Sequence, residues 1–343
     1  MEQVKLQDIP ADLLNVREVL NRKDCVVSGI STDSRQMQTG DLFVALRGER
    51  FDGHRFIQKA AEAGAVAIVA DKNGIDGFEN LPVPILLVDD TLQFLMNLSA
   101  WYRRRFHFPL VGLTGSAGKT TTKELLVSIL QQRLTVVKTQ GNRNNFIGVP
   151  LTLFQLHSAA QAAVIEMGTS HPGEISRLTR LVRPDLAAIT QIGSGHIGFF
   201  GSREKIYEEK RALLDEAPSG AKLFLNVNDA FLKNYSREDA QIIKCGTDAS
   251  ADYHAEIVKT DEAGFLHFRM NGGAVLKLGV AGRHHLMNGL LAAAIAREMG
   301  LTEDEIKTGL ASVQNVGQRM EIARIKDLLI INDAYNANPE SMR

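Results

Sequence analysis

The stretch from Phe108 to Glu124, FPLVGLTGSAGKTTTKE, carries residue types and spacing suited to binding phosphate. An apolar run typical of a buried strand breaks into a glycine-rich turn, and Lys119 then opens a segment with the apolar spacing of a helix. In such a unit, free backbone N–H groups and the helix dipole face one spot, and glycines let phosphate oxygens approach the backbone. Lys119 would reach the terminal phosphates of a nucleotide, and the Thr120 hydroxyl would ligate Mg²⁺.

This predicted P-loop departs from the strict pattern at one position. The pattern requires a glycine five residues before Gly118, where the chain has Leu113. A glycine turn beside an ordinary helix is the alternative interpretation, but Gly-Lys-Thr-Thr-Thr directly after a buried strand favours phosphate binding. The predicted nucleotide-binding residues of the loop are Thr114, Gly115, Ser116, Ala117, Gly118, Lys119, Thr120 and Thr121.

Glu166 ends an apolar run, Ala162–Ile165, and precedes a second polar turn. In a P-loop sheet, an acid at the tip of a neighbouring strand lies near the Mg²⁺. A single acid at a strand end is more often a solvated cap, but the apolar run and the upstream P-loop favour the metal interpretation. His196 follows another predicted strand, and Lys205 and Lys210 lie on a predicted helix. Residue type alone assigns no function to these three.

The elements that must position these residues predict an α/β protein with three domains. Residues 1–107 are interpreted as a small α/β domain, residues 108–315 as a P-loop domain with a mostly parallel sheet, and residues 316–343 as the beginning of a third domain. Alternating apolar residues on both sides of Asn271-Gly272-Gly273 predict a β-hairpin. Met320–Ile325 and Leu328–Asn332 predict another.

Two polar segments leave alternative interpretations open. Asn142, Asn144 and Asn145 lie in the loop after a predicted strand, where they suit a sugar- or amide-bearing ligand and also suit a hydrogen-bonded loop. Ser34 and Arg35 lie near a strand end, where α/β sheets bind ligands. Serine and aspartate are also common in turns and helix caps. The segment Ser31-Thr32-Asp33-Ser34-Arg35 therefore fits either a ligand-binding site or an ordinary turn.

Composition excludes several classes of protein. The formal net charge of −1 gives no electrostatic case for binding nucleic acid or an anionic membrane. No apolar run reaches the roughly 18 to 20 residues of a membrane span, and the N-terminus lacks the basic-then-apolar build of a signal peptide. Cys25 and Cys245 are far apart and show no ligand-like or redox spacing. These features predict a cytoplasmic enzyme.

Four motifs resemble the Mur ligases, the ATP-dependent amide-bond-forming enzymes of peptidoglycan precursor synthesis. They are TGSAGKTTTKE at 114–124, GNRNNFIGVPLTL at 141–153, EMGTSHPGEI at 166–175 and DAYNANPESM at 333–342. The N-terminal STDSRQMQTGDLFVALRGERFDGHRFI resembles the family's UDP-binding domain, so the resemblance covers nearly all of the chain. It implies ATP-dependent addition of D-alanyl-D-alanine to UDP-N-acetylmuramoyl-tripeptide through an acyl phosphate, and we expect a monomer.

The resemblance also implies roles for individual residues, with Lys119, Glu166, His196 and Lys210 as the catalytic set. Thr120 and Glu166 would hold one Mg²⁺, and Glu166, His196 and a carbamylated lysine would hold a second. GSREKIYEEKRALL at 201–214 matches the family's glycine-serine start with a lysine nine residues after the glycine, which favours Lys210 over Lys205 as that lysine. The other implied contacts are Asn288, Arg319 and Asp333 to nucleotide, Asn142, Asn144 and Asn145 to the muramoyl peptide, and Ser34 and Arg35 to the uridine diphosphate.

The chain departs from the family pattern in places, and two rival functions stay open. His285 stands where the family's adenine motif has its first asparagine, and Gly198 stands where some relatives carry an acid. Relatives continue past the position of Arg343 into a Rossmann-like domain, so we expect this chain to bind nucleotide and UDP-substrate but to ligate poorly. The rivals are another Mur ligase or folylpolyglutamate-synthase-like amide ligase, and a P-loop protein without ligase chemistry.

Overall fold

The computed structural model describes residues 1–10, 14–48, 51–78, 80–313, 321–325, 328–332 and 334. These residues belong to two compact units, Met1–His107 with Phe146–Ser158, and Phe108–Asn145 with Ala159–Arg343. The sequence analysis also places a boundary between residues 107 and 108, but it assigns Phe146–Ser158 to the second domain.

The helices and strands have the following bounds. In chain order, the strands are β1 Val4–Lys5, β2 Val16–Leu20, β3 Val26–Val27, β4 Gly29–Ser31, β5 Asp41–Val44, β6 Ala67–Asp71, β7 Ile85–Val88, β8 Leu110–Thr114, β9 Val136–Lys138, β10 Ala162–Glu166, β11 Leu186–Ile189, β12 Lys222–Asn226, β13 Gln241–Gly246, β14 Tyr253–Thr260, β15 Phe265–Met270, β16 Val275–Ala281, β17 Glu321–Ile325 and β18 Leu328–Asn332. The α-helices are α1 Ile57–Glu62, α2 Thr91–Arg103, α3 Lys119–Leu130, α4 Gly148–Leu153, α5 Glu174–Val182, α6 Ile197–Phe200, α7 Arg203–Asp215, α8 Leu286–Glu298 and α9 Glu303–Ser312.

The first unit contains a five-stranded sheet in the order β2-β7-β6-β5-β4. β4 to β7 run parallel, and β2 pairs antiparallel with β7 at one edge. The inner strands β5 and β7 are buried at every position, as expected for parallel strands covered on both faces. No strand is predicted for β2, VREVL, which is short and carries two charged residues. The carboxyl end of β4 leads into the segment with Ser34 and Arg35.

The second unit contains a nine-stranded sheet in the order β16-β15-β14-β13-β12-β11-β8-β10-β9. Its strands from β9 through β14 pair in parallel, and β14, β15 and β16 pair antiparallel. β8 lies between β10 and β11, although β9 follows it in the chain, so the strand order reverses beside β8. Ligands of open α/β sheets bind at the carboxyl ends of the strands at such a reversal.

Both predicted hairpins and the predicted fold class are confirmed. β15 and β16 pair antiparallel, and Asn271 (φ 50°) and Gly272 (φ 71°) take the left-handed backbone that a tight hairpin turn requires. β17 and β18 pair antiparallel over Glu321–Ile325 and Leu328–Asn332. The protein is thus α/β, with a mostly parallel sheet in the P-loop unit. Within the described residues, no helix is long and apolar enough to cross a membrane.

α3 is held in the second unit by its apolar face. Leu125, Leu126 and Ile129 have no exposed surface and belong to one core cluster with residues of α8, which is buried along most of its length. Burial of such a side chain stabilises the fold by about 1.5–3 kcal/mol. The first turn of α3 is therefore fixed relative to the ends of β8 and β10.

Candidate active site

The predicted P-loop joins β8 to α3. β8 ends at Thr114, residues 115–118 form the turn, and α3 begins at Lys119. Gly118 has a φ of 82°, and a Cβ built there would lie 2.3 Å from Asn288 Oδ1, so only glycine fits. The first N–H groups of α3 are directed at the loop, as in other anion sites at helix N-termini.

Hydrogen bonds fix the P-loop, both to the segment after β11 and within the loop itself. The Ser116 N–H donates to the Gln191 carbonyl (2.9 Å). Lys119 Nζ donates to the Gly115 carbonyl (2.7 Å), so the ammonium group lies over its own loop. The geometry is that of a phosphate cradle. Nucleotide binding by the individual residues stays a prediction.

Glu166 lies at the carboxyl end of β10 with 1 % of its surface exposed. Its Oε1 accepts hydrogen bonds from Asn144 Nδ2 (2.8 Å) and Thr120 Oγ1 (3.2 Å). Its Oε2 is shielded from solvent and accepts no hydrogen bond from the residues that the structure describes. The ammonium of Lys123 lies 3.5 Å from this oxygen.

The Glu166 Oε2, which accepts no hydrogen bond, is suited to bind Mg²⁺. Leaving a buried carboxylate oxygen without a donor costs about 1–3 kcal/mol or more, which a metal or its bound water would offset. No cluster of three or more histidine, cysteine or acidic side chains occurs in the described parts of the chain. Mg²⁺ commonly takes one or two protein oxygens and completes its shell with phosphates and water. Glu166 and the Thr120 hydroxyl match that donor set.

Lys210 lies on α7 and is 2 % exposed. Burial, and then the nearby charge of Lys119, lower the pKa of its ammonium from 10.5 to about 7, while Glu209 acts in the opposite direction. Its Nζ makes no hydrogen bond or ion pair with the residues that the structure describes. A large fraction of the amine is therefore neutral near neutral pH. Lys205, on the same helix, is exposed.

His196 precedes α6 with a φ of 66°, in the left-handed region that a non-glycine residue adopts at a cost of about 1–3 kcal/mol. Burial lowers the pKa of its imidazole, and the charges of Lys210 and Lys119 lower it further. The ring is therefore neutral at physiological pH and offers an unprotonated nitrogen to a metal. The shared electrostatic interactions bring His196, Lys119 and Lys210 into one group.

The predicted catalytic residues therefore form two groups linked by the adjacent Lys119 and Thr120. One contains Thr120 and Glu166, and the other contains Lys119, His196 and Lys210. Glu166 makes no hydrogen bond to His196 or Lys210 in the described structure. A second metal that uses all three residues stays a prediction.

Glu209 positions the turn that follows β10. Its buried carboxylate accepts hydrogen bonds from the N–H groups of Gly173 (2.6 Å) and Ile175 (2.8 Å) and from Thr169 Oγ1 (3.2 Å). The Glu209 carboxylate thus accepts hydrogen bonds from N–H groups at the N-terminus of α5, where the helix dipole favours a negative charge. It ties the helix that carries Lys210 to the loop that follows Glu166.

Asn288 lies beside the P-loop with 8 % of its surface exposed. Its Oδ1 accepts from Thr122 Oγ1 (3.3 Å), and its Nδ2 lies 3.0 Å from His285 Nδ1. Its amide is therefore largely used inside the protein, although it reaches the loop as the adenine prediction requires. The two other predicted nucleotide contacts, Arg319 and Asp333, lie outside the described residues.

The three asparagines of the 141–145 loop differ in their surroundings. Asn144 is bonded to Glu166, whereas Asn142 and Asn145 are exposed. The structure thus connects Asn144 to the candidate metal ligand, and the contact of all three with substrate stays a prediction.

In the first unit, Ser34 is buried and Arg35 is exposed. Arg35 pairs with Asp33 (2.8 Å) and lowers the pKa of that carboxyl to about 2. These contacts match the turn interpretation of the segment, and uridine diphosphate binding by Ser34 and Arg35 stays a prediction.

Sequence reasoning missed Lys123 and Glu209. Lys123 is four residues after Lys119 and three after Thr120, a spacing that puts it beside both on a helix, and this signal could have identified it. Glu209 has no comparable signal, because its partners lie in a loop more than thirty residues away in the chain.

Comparison with known proteins agrees with this geometry. The family profile described as "Mur ligase middle domain" matches residues 113–296, and "Mur ligase family, catalytic domain" matches residues 26–103. The UDP-N-acetylmuramoyl-tripeptide–D-alanyl-D-alanine ligase of Bacillus subtilis is 39 % identical over 321 residues, which are 93 % of this chain and 69 % of that protein. The enzyme of the same name from Escherichia coli is 33 % identical, with 97 % of this chain and 75 % of that protein covered.

Solved structures give the same result. The MurF of Acinetobacter baumannii superposes with a TM-score of 0.83 at 33 % identity, covering 92 % of this chain and 70 % of that one. The MurF ligase of Thermotoga maritima in complex with ADP superposes with a TM-score of 0.81 at 31 % identity, covering 96 % and 73 %.

The chain belongs to the Mur ligase family. Within that family, the relatives just described are UDP-N-acetylmuramoyl-tripeptide–D-alanyl-D-alanine ligases, and their similarity extends over both units. The predicted class, an ATP-dependent C–N ligase of peptidoglycan precursor synthesis, is therefore confirmed.

Proposed function

We propose that this chain joins D-alanyl-D-alanine to a UDP-N-acetylmuramoyl-tripeptide in an ATP-dependent reaction that passes through an acyl phosphate. The observation that carries the proposal is the buried Oε2 of Glu166, which accepts no hydrogen bond, on a carboxylate whose Oε1 is bonded to Thr120 of the phosphate cradle. The names of the relatives supply the substrates.

A carboxylate is a poor electrophile, so the reaction needs a leaving group before the amine can attack. Transfer of the γ-phosphoryl group of ATP to the tripeptide carboxylate forms the acyl phosphate. The amine of D-alanyl-D-alanine then displaces phosphate and loses a proton. Lys119 and the N–H groups of the loop bind the phosphates, and catalysis of the transfer is mostly positioning and neutralisation of charge.

Thr120 and Glu166 would hold one Mg²⁺, and Glu166, His196 and a carbamylated Lys210 a second. Mg²⁺ at these positions supplies electrostatic stabilisation of the transferring phosphoryl group. The neutral amine of Lys210 supports the carbamate, because only an unprotonated amine adds to CO₂, forming an N–C bond and releasing one proton. The product is an anionic oxygen ligand. Lys205, by contrast, is exposed.

The remaining contacts complete the proposed site. Asn288, Arg319 and Asp333 contact the nucleotide, Asn142, Asn144 and Asn145 the muramoyl peptide, and Ser34 and Arg35 the uridine diphosphate. The division into domains at residues 1–107, 108–315 and 316–343 belongs to the same proposal, as do a monomeric state and a cytoplasmic location.

Trapping of the acyl phosphate tests this function without requiring the full ligation. The chain is incubated with ATP, Mg²⁺ and UDP-N-acetylmuramoyl-tripeptide, and hydroxylamine is added to convert an acyl phosphate into a hydroxamate and phosphate. We expect ATP-dependent hydroxamate with this tripeptide substrate and none with folate substrates. Phosphate release with a panel of amines then separates D-alanyl-D-alanine from the amines of other Mur ligases. Nucleotide binding with no hydroxamate would instead support a P-loop protein without ligase chemistry.

A further inference from the structure

We propose that Lys123 is an internal counter-ion for Glu166, which holds the carboxylate in place in the metal-free protein and opposes the binding of Mg²⁺. The proposal rests on the role of Glu166 as an Mg²⁺ ligand given above. It assigns a positioning function to a residue that binds neither nucleotide nor substrate.

Lys123 is a fully buried lysine whose donors are all directed at the end of β9 and at two carboxylates. Its Nζ donates to the carbonyls of Thr139 (2.9 Å) and Gly141 (3.1 Å). It forms ion pairs with Glu166 Oε2 (3.5 Å) and Glu124 Oε1 (3.3 Å). A lysine with no exposed surface must be compensated in this way, because an unpaired buried charge is strongly unfavourable.

The helix places Lys123 and the predicted metal ligand Thr120 on one side of α3, three residues apart. Thr120 contacts Oε1 of Glu166, and Lys123 faces Oε2. One oxygen is therefore held by neutral donors, whereas the other has only a cation near it. Because Oε2 makes no hydrogen bond, it is the oxygen available to a metal.

This arrangement has a definite electrostatic consequence. In the absence of metal, the Lys123 ammonium compensates the Glu166 carboxylate. When Mg²⁺ binds Oε2, two positive groups share one carboxylate and repel each other. Removing the lysine charge should therefore destabilise the metal-free protein. It should also strengthen the binding of Mg²⁺, since Mg²⁺ would then supply the missing positive charge.

The experiment measures the affinity for ADP by calorimetry, once in EDTA and once in Mg²⁺. The metal gain is defined as the affinity in Mg²⁺ divided by the affinity in EDTA. In Lys123→Met, which keeps the apolar stem, we expect the gain to be about tenfold larger than in the unaltered chain, as expected for loss of a unit charge within about 4 Å. In EDTA, the melting temperature of Lys123→Met should be lower than that of the unaltered chain. Addition of Mg²⁺ and ADP should raise the melting temperature of Lys123→Met by more than it raises that of the unaltered chain.

Lys138→Met is the matched control. Lys138 pairs with Glu124 (2.5 Å), as Lys123 does, but its removal leaves the contacts of Glu166 in place. We expect its metal gain to equal that of the unaltered chain. The double variant Lys123→Met with Glu166→Gln removes both charges, so its metal-free melting temperature should exceed that of Lys123→Met.

The outcomes separate this inference from the proposed function. If Glu166→Gln keeps the metal gain, the Mg²⁺ role of Glu166 is wrong. If Glu166→Gln abolishes the gain but Lys123→Met shows an equal or smaller one, the counter-ion role of Lys123 is overturned. Should Lys123→Met fail to fold, folding of the double variant supports the proposal. Failure of both variants contradicts it, because Lys123 would then serve the carbonyls of Thr139 and Gly141 instead.

Discussion

Glu166 and Lys210 are both almost fully buried near the P-loop, but the fold compensates only one of them. Glu166 has a cation 3.5 Å from one oxygen and two neutral donors on the other. Lys210 has no ion pair or hydrogen bond among the described residues. The ammonium of Lys119 lowers its pKa, and the carboxylate of Glu209 raises it. A carboxylate with a cation beside it and an amine without a hydrogen-bond partner are thus both found near the P-loop.

This difference suits the two kinds of metal ligand in the proposed function, a carboxylate on β10 and a lysine on α7. A charged carboxylate binds a metal directly, whereas an amine must first be neutral and then react with CO₂. Burial without a partner produces the neutral amine, because desolvation disfavours the ammonium. The charge of Glu209 acts against this effect and raises the pKa of Lys210, but burial outweighs it. The predictions below test whether the two buried residues differ in this way.

The largest effect is expected from Lys210→Met. Loss of an anionic metal ligand should lower ATP-dependent phosphate release with the tripeptide substrate by about 10²–10³-fold, the range found when one group that stabilises a transition state is removed. The unaltered chain should also lose activity in bicarbonate-free buffer and recover it when bicarbonate is added. Lys205→Met, on the exposed part of the same helix, should keep both the rate and the response to bicarbonate. Equal losses in the two variants would exclude Lys210 as the carbamylated residue.

Lys210→Met should also stabilise the metal-free protein in bicarbonate-free buffer. The pKa of Lys210 is lowered from 10.5 to about 7 in the folded state, so folding must neutralise or bury a charge that the unfolded chain keeps. This costs about 4–5 kcal/mol in full below pH 7, less as pH rises towards 10.5, and nothing above it. The gain in unfolding free energy of the variant should therefore be largest at pH 6 and fall steadily to pH 10. A gain independent of pH would show that packing, not charge, is responsible.

The sequence predicted the fold well where local patterns decide it. The P-loop, the strand that ends at Glu166 and the Asn271-Gly272 hairpin all have short-range signals, and the structure contains each of them. What the sequence could not reveal is which side chains compensate which charges. The pairing of Lys123 with Glu166 and the lack of a partner for Lys210 depend on how distant strands and helices pack.

Glu209 gives an intermediate case, a buried carboxylate that accepts three hydrogen bonds and has no ion pair among the described residues. Glu209→Gln should lower the unfolding free energy by about 1–3 kcal/mol, because the amide cannot accept from the three donors of the 169–175 turn as the carboxylate does. Urea unfolding measures the change, and Glu208→Gln, on an exposed position of the same helix, is the control. Because Glu209 raises the pKa of Lys210, the same variant should also lower that pKa. An unchanged unfolding free energy would show that these three bonds are replaced by water.

The smallest effect is expected on the Glu166 side, where the contacts overlap. Asn144→Ala removes the 2.8 Å hydrogen bond to Oε1, but Thr120 still donates to that oxygen and Lys123 still lies near Oε2. We therefore expect a loss of about 1 kcal/mol in unfolding free energy, the usual net value of one hydrogen bond. Asn142→Ala, at an exposed position of the same loop, should leave the unfolding free energy unchanged. If Asn144→Ala cost as much as Glu209→Gln, the contacts of Glu166 would act as one unit, and the compensation by Lys123 would be weaker than the geometry indicates.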